Sequence, residues 1–334
     1  MERITLAHGN GGRFMKALIE EVFVRHLGSA GEGPDVRLDA APIELDGGTP
    51  LMTTDGFIVQ PLEFPGGDIG SLAVHGTVND LAVAGARPRY LTLNAFIEEG
   101  LEIRVLDRIV ASLARAGREA GVRIVAGDTK VLPRGQGGGL YLATTGVGLK
   151  PAGLDLGMHR IRAGDRVVVS GPVGDHGVTV LLARDDFDIE GDLQSDSAPV
   201  ITLAEAAIAV GGLRFMRDPT RGGLAGVACE LAEHTGMSVH LDEARIPVRD
   251  PVAMLCDMLG YDPLYLACEG RIVAVVSPDS ADALIAAWRS LDGGHGAREI
   301  GRVEPGPSRV TLHTELGGER LMEELEDDPL PRIC

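Results

Sequence analysis

Cysteine is sparse in this 334-residue chain, and its four copies, Cys229, Cys256, Cys268 and Cys334, include no C-x-x-C pair. That spacing excludes a zinc knuckle and a disulfide scaffold as the source of stability. Aromatic side chains are few, at 4% with a single Trp, so Val, Ile, Leu and Ala must fill the interior. Long apolar runs are missing too. Apolar residues make up 44% of the chain, yet no stretch approaches the ~20 needed to span a bilayer, and Met1-Glu2-Arg3-Ile4 lacks the charged-then-apolar start of a signal peptide. The expected location is the cytoplasm, with no membrane association. Positive charge is in deficit, with 31 Lys and Arg against 49 Asp and Glu for a net −18, a field that repels a nucleic-acid backbone. Nucleic acid is therefore not an expected partner. An anionic ligand must arrive with metal cations, or bind where local Lys, Arg and backbone N–H groups outweigh the field.

Glycine is plentiful, at 46 residues, and the length exceeds what one core usually serves, so two domains are expected. Leu51–Thr54, Arg89–Ile97 and Leu140–Gly148 read as short strands, alternating with helical patterns at Ile69–Ala84 and Ile103–Ala120. The pattern breaks near Lys150-Pro151-Ala152-Gly153, which places a domain boundary at 150/151. Beyond it, Arg166–Ser170 and Arg271–Val276 read as strands, and Gly177–Ala183, Ala198–Val210, Gly222–Thr235 and Ala281–Arg289 as helices. The expected class is α+β, two α/β-layered domains at 1–150 and 151–322, with helices against one face of each sheet. Residues 323–334 form a flexible tail whose prolines, Pro329 and Pro331, favour an extended arm.

Three aspartates occupy similar short settings where an apolar stretch meets solvent: Asp55 in Thr53-Thr54-Asp55-Gly56, Asp80 in Val78-Asn79-Asp80-Leu81, and Asp128 in Gly127-Asp128-Thr129-Lys130. Gathered together, such carboxylates suit Mg²⁺ beside nucleotide phosphates, whereas Asp55-Gly56 taken singly is an ordinary turn. Lys130, two residues after Asp128, points the same way in an extended segment and is either a phosphate contact or a surface ion-pair partner. The leader His8-Gly9-Asn10-Gly11-Gly12 precedes an apolar helix carrying Phe14, Leu18 and Val22. Its glycines can gather backbone N–H groups around an anion, or simply leave it mobile.

In the second half, Arg217-Asp218-Pro219-Thr220-Arg221-Gly222-Gly223 leads into a helix. It offers either a phosphate clamp or an Asp–Arg capping arrangement. Glu269, in Cys268-Glu269-Gly270-Arg271, is a general-base candidate if shielded from water and a plain loop acid if not. Cys229, Cys256 and Cys268 read as small core hydrophobes. Cys334 does not: a thiol at the end of a proline-stiffened arm invites oxidation and asks for a chemical role.

These elements, in this order, resemble the HypE family, the carbamoyl dehydratases of nickel–iron hydrogenase maturation, within the ATP-binding superfamily of aminoimidazole ribonucleotide synthetase and selenophosphate synthetase. The resemblance spans nearly the whole chain and is carried by the His8–Gly12 leader, Thr53–Gly56, Asn79-Asp80-Leu81-Ala82-Val83, Gly127–Val131, Arg217–Gly223 and the terminal Pro331-Arg332-Ile333-Cys334. The last motif distinguishes this family from its relatives. The resemblance implies aminoimidazole ribonucleotide synthetase-like domains, with ATP and Mg²⁺ as cofactors. It implies that a carbamoyltransferase, HypF, loads Cys334, that ATP drives dehydration to a thiocyanate, and that cyanide passes to iron on a HypC–HypD scaffold. By resemblance, Lys130 contacts the phosphoryl or carbamoyl oxygen, Glu269 helps remove a proton, and Asp55, Asp80 and Asp128 hold magnesium. His8, Asn10, Gly11, Gly12, Asn79, Thr129, Arg217, Thr220 and Arg221 complete the nucleotide contacts. The family also implies a homodimer joined through the first domains' sheets, with the nucleotide near the subunit boundary. Cys268 departs from the family, many members of which carry Asn before Glu-Gly.

Two other readings compete. A selenophosphate synthetase-like enzyme needs a catalytic Cys or Sec near its start, and no cysteine precedes Cys229; a thiamine-phosphate kinase-like enzyme has no use for a terminal thiol. A non-catalytic, nucleotide-switched scaffold would offer the tail to partners, but has no need of Lys130 among carboxylates.

Overall fold

The computed structural model describes residues 3–9, 13–28, 41, 43–184, 193–325, 330 and 333. They form two compact units, one from residues within 1–81 and 86–152 together with Ile333, the other from residues within 82–85 and 153–330. No helix among the described residues is long and apolar enough to cross a membrane.

The first unit contains helices α1 (Arg13–Leu18) and α2 (Arg25–Leu27), joined by a π-helical stretch at Ile19–Val24. Strands β1 (Thr49–Phe57), β2 (Glu63–Phe64) and β3 (Gly67–Asp68) follow, then α3 (Ile69–Val83), β4 (Arg87–Glu98), α4 (Ile103–Glu119), β5 (Arg123–Leu132) and β6 (Leu140–Lys150). The main sheet runs β1-β6-β4-β5. Its only parallel pair is β4–β5, and α4 supplies the crossover that a parallel connection requires. The stripe Leu106, Ile109, Val110, Leu113 and Ala116 on α4 is buried, which is the 3.6-residue spacing legible in the sequence.

Helix α3 covers one face of this sheet closely because small residues meet there. A Cβ on Gly76 would lie 2.9 Å from the Phe57 ring, and one on Gly146 would lie 2.7 Å from Thr77 Cγ2. Thr144 on β6 hydrogen-bonds the Thr77 hydroxyl and donates to the Ala73 carbonyl at 3.3 Å. The opposite face is open and carries Met52, Thr54, Asn94, Phe96, Asp128 and Lys130, all exposed or half-buried. Alternation along β1 and β4 follows from this arrangement, one face packed and the other bare.

The second unit is built on a seven-stranded sheet, in the order β13-β12-β9-β11-β7-β10-β8. Its elements are β7 (Arg166–Val169), α5 (Asp175–Arg184), α6 (Ile201–Val210), β8 (Leu213–Arg217), α7 (Gly223–Thr235), β9 (Ser238–Asp242), α8 (Asp250–Leu259), β10 (Val273–Val276), α9 (Ala281–Arg289), β11 (Arg298–Glu304), β12 (Arg309–His313) and β13 (Glu319–Met322). Successive residues of the central strands enter different cores. Val167, Val169, Val273 and Val275 pack with α7, while Val168, Ala274 and Val276 pack with α6 and α9. Helices therefore cover both faces of this sheet, not one face as the sequence suggested; the unbroken Val runs of β7 and β10 are the signature of strands buried on both sides. The single Trp, Trp288, is fully buried, and its Nε1 donates to the Leu203 carbonyl at 2.8 Å. Helix α6 begins at Ile201, not Ala198, because Pro199 restrains the residue before it.

Of the tail, Leu330 and Ile333 are buried, at 3% and 5% exposure, whereas Leu325 is 45% exposed. Cys334 lies outside the described residues, as do 326–329, Pro331 and Arg332.

Candidate functional site

In the first unit, Thr53 and Asp55 share the face of β1 turned toward α3. An added Cβ on Gly76 would lie 3.8 Å from Asp55 Oδ2. One turn further along the same helix, Asp80 accepts from Thr53 Oγ1 through Oδ2 at 2.7 Å. Asp55 and Asp80 are thus neighbours, and Thr53 orients one of them. Asn79 beside them on α3 is 1% exposed.

Asp128 stands elsewhere. Its register partners are Asn94 and, across β4, Ala143 and Gly56, whereas Asp55 pairs with Thr144. It therefore projects from the open face, three strand spacings or roughly 14 Å from the strand that carries Asp55. Among the described residues, no three His, Cys, Asp or Glu side chains converge on a point able to hold a metal ion. The structure brings together Asp55 and Asp80, and sets Asp128 apart with Lys130.

Lys130 Nζ lies 2.5 Å from Asp128 Oδ2, while Oδ1 accepts the Thr129 backbone N–H at 2.8 Å. The ammonium, acting with that backbone bond against partial desolvation, holds the Asp128 carboxyl below the usual carboxylate range. Thr129 points into the protein, its buried hydroxyl without a hydrogen-bond partner among the described residues. His8 is 3% exposed in the short 3₁₀ turn Leu6–Gly9, its Nδ1 within 3.0 Å of Thr5 Oγ1. The turn is seated on β5, since a Cβ on Gly9 would be 2.8 Å from Val131 Cβ. Asn10, Gly11 and Gly12 lie outside the described residues.

In the second unit, residues 217–223 do lead directly into α7. Gly222 caps that helix at φ +75 with no side-chain cap, and a Cβ on Gly223 would come within 2.6 Å of the Leu264 and Leu266 carbonyls. The first turn of α7 is tied back to this segment, the Gly223 N–H donating to the Thr220 carbonyl at 3.0 Å, and the backbone of residues 264–266 packs against it. Arg221 is exposed and makes no ion pair among the described residues. Arg217 is engaged: it pairs with Glu230 on α7 at 2.9 Å, a partner the sequence reading did not foresee.

Cys268 N–H donates to the Pro219 carbonyl at 2.9 Å, which joins this segment to the one bearing Glu269. Glu269 is 2% exposed, meeting the condition of shielding from water. Around it lies a polar network that no local sequence signal announced, formed by Asp175, Asp196, Arg249 and Arg271. Cys268 is fully buried, and desolvation raises its pKa well above the ordinary thiol value. Burial pushes Cys229 to about 11 and Cys256 to about 12, so none of the three is a ready nucleophile.

Residues 37–150 match the family model of the AIR synthase related protein N-terminal domain, and 162–313 that of the C-terminal domain. The chain is 48% identical to the carbamoyl dehydratase HypE of Azotobacter vinelandii, over 99% of this chain and 97% of that protein. It superposes on a crystal structure of the hydrogenase maturation protein HypE in complex with ATP at a TM-score of 0.92, with 43% identity, covering 98% of this chain and 99% of the other. A chain of a HypE–HypF complex matches at a TM-score of 0.80 and 39% identity, with coverage of 92% and 100%.

Proposed function

The chain belongs to the HypE family of carbamoyl dehydratases within the AIR synthase-related proteins, and from that premise we propose that it uses ATP to convert an S-carbamoyl group on its own Cys334 to a thiocyanate. The observation that carries this reading is the full-length likeness to an ATP-bound HypE in a chain that carries the motif Pro331-Arg332-Ile333-Cys334. The product supplies the cyanide ligand of a nickel–iron hydrogenase.

The carbamoyl oxygen is a poor leaving group. Transfer of the γ-phosphoryl group to that oxygen releases ADP and one N–H proton, and loss of phosphate with the second proton leaves the S–C≡N group. Lys130, exposed beside Asp128, neutralises negative charge as the oxygen is phosphorylated. Glu269, shielded from water, accepts a proton from nitrogen. Thr220 and Arg221, ahead of α7, offer side-chain donors for phosphate, and His8, Asn79 and Thr129 belong to the nucleotide-binding set.

Magnesium, when bound, offsets phosphate charge. It favours one or two carboxylates plus phosphate oxygens and waters over an all-protein cage. The neighbouring Asp55 and Asp80 suit that demand, while Asp128, on the other face of the sheet, holds Lys130.

HypF, seen in complex with a relative, loads the carbamoyl group, and a HypC–HypD scaffold receives the cyanide in the cytoplasm. The open face of the first unit's sheet, with Met52 at 73% and Phe96 at 37% exposure, joins two copies as a homodimer. Lys130→Ala should bind ATP but dehydrate slowly, whereas Cys334→Ala should bind ATP and form no modified tail. Normal turnover in Lys130→Ala, or lost ATP affinity in Cys334→Ala, contradicts these assignments.

A further inference from the structure

We propose that Asp196 is a positioning residue, whose carboxylate clamps the Glu269–Gly270 peptide and so sets the aim of the Glu269 side chain. The inference rests on the reading of Glu269 as the proton acceptor.

Asp196 Oδ1 accepts the Glu269 N–H at 3.1 Å and Oδ2 accepts the Gly270 N–H at 3.3 Å. One carboxylate thus holds two successive backbone donors and fixes the tilt of the peptide between them. A third bond closes the bracket, from Ala198 N–H to the Glu269 carbonyl at 3.3 Å. The approach is closer than any side chain allows: a Cβ on Gly270 would lie 1.9 Å from the Asp196 carbonyl oxygen. Glycine at 270 is therefore a steric condition of the clamp.

The loop that presents Asp196 is itself pinned. Ser195 Oγ accepts the Ser197 N–H at 3.0 Å and lies 2.7 Å from Nδ1 of the fully buried His176. The Asp196 side chain is 1% exposed, and its charge is met by Arg271 Nε at 3.4 Å. Arg271 also reaches Asp175 Oδ2 at 3.7 Å, whose Oδ1 accepts from Arg249 Nε at 2.8 Å. Arg271 further donates to the carbonyls of Pro172 at 2.9 Å, Gly293 at 3.2 Å and Gly270 at 3.3 Å.

Such a buried network contributes little net stability, because desolvation offsets the attraction between its charges. What it provides is orientation. Glu269 carries its carboxylate at the end of a long side chain, so a small rotation of the clamped peptide becomes a large displacement of the base.

The test is single-turnover dehydration of the S-carbamoylated full-length protein, with ATP affinity measured in parallel. Asp196→Asn keeps one acceptor but turns an N–H₂ toward the second backbone donor. Its rate should fall about 10–100-fold, the usual effect of removing an orienting partner, with ATP affinity unchanged. In a Glu269→Gln background, Asp196→Asn should cost nothing more, because it acts only through Glu269. Ser195→Ala, which leaves the charge balance intact, should show the same separation of rate from affinity with a smaller loss. The inference is overturned if both variants react at the wild-type rate, or if Asp196→Asn slows Glu269→Gln by the factor it imposes on the wild type. A wild-type rate in Glu269→Gln alone overturns the underlying reading of Glu269 instead.

Discussion

Gly270→Ala joins backbone geometry to catalysis by a single methyl group. That methyl would begin 1.9 Å from the Asp196 carbonyl oxygen, whereas a carbon and a carbonyl oxygen settle no closer than about 3.3 Å. The two backbones must separate by about 1.4 Å. The Asp196 bonds to Glu269 N–H and Gly270 N–H, now 3.1 and 3.3 Å, would stretch beyond useful length. Overpacking of this kind destabilises by about 1–3 kcal/mol, which a fold of ordinary stability survives. Misplacement of a reacting group by about 1 Å costs ~10²-fold in rate, equivalent to about 2.7 kcal/mol in the barrier. Stopped-time assays of tail dehydration, on samples first shown by circular dichroism to be folded, should record that loss with ATP affinity intact. A folded Gly270→Ala enzyme within threefold of the wild-type rate would refute the reasoning.

Other consequences are independent of that clamp. Burial lowers His75 from 6.5 to about 4, so between those pH values the unfolded chain holds a proton that the folded chain rejects. Stability should fall by about 3 kcal/mol as pH drops from 7 to 4. His75→Gln should lose that part of the slope in urea unfolding, and parallel pH profiles would contradict the assignment. Thr53→Val removes the 2.7 Å hydrogen bond to Asp80 and should raise the Mg²⁺ concentration for half-maximal activity several-fold, with the rate restored at saturation; failure of magnesium to restore it counts against Asp80 as a ligand. With Cys229 at about 11, Cys256 at about 12 and Cys268 pushed well above the ordinary thiol value by burial, brief iodoacetamide treatment at pH 8 should alkylate Cys334 alone. Rapid labelling of a Cys334→Ala variant would contradict that.

What the sequence disclosed was what local spacing encodes. The α4 stripe and the valine runs of β7 and β10 are written in consecutive residues. Asp128 and Lys130 share a face because an extended chain alternates its side chains. The strands β9 and β11–β13 escaped notice because their polar members, such as His240, Arg302 and His313, dilute the apolar signal. Long-range partners were also hidden. Thr53 meets Asp80 across 27 residues, and Asp196 meets Glu269 across 73; neither spacing has a period to detect. Arg217 pairs with Glu230 on the next helix, a contact across thirteen residues that its own segment does not announce. The separation of Asp128 from Asp55 and Asp80 depends on strand order, which no single stretch of sequence specifies.

On the proposed reading, Cys334 carries the group that the chain dehydrates. The direct measurement is the mass of the C-terminal peptide after S-carbamoylated protein is incubated with Mg-ATP. An ATP-dependent loss of one water from the peptide containing Cys334 is expected, with one phosphate released for each tail converted. An unchanged tail mass alongside a newly phosphorylated small molecule would contradict it and identify a kinase.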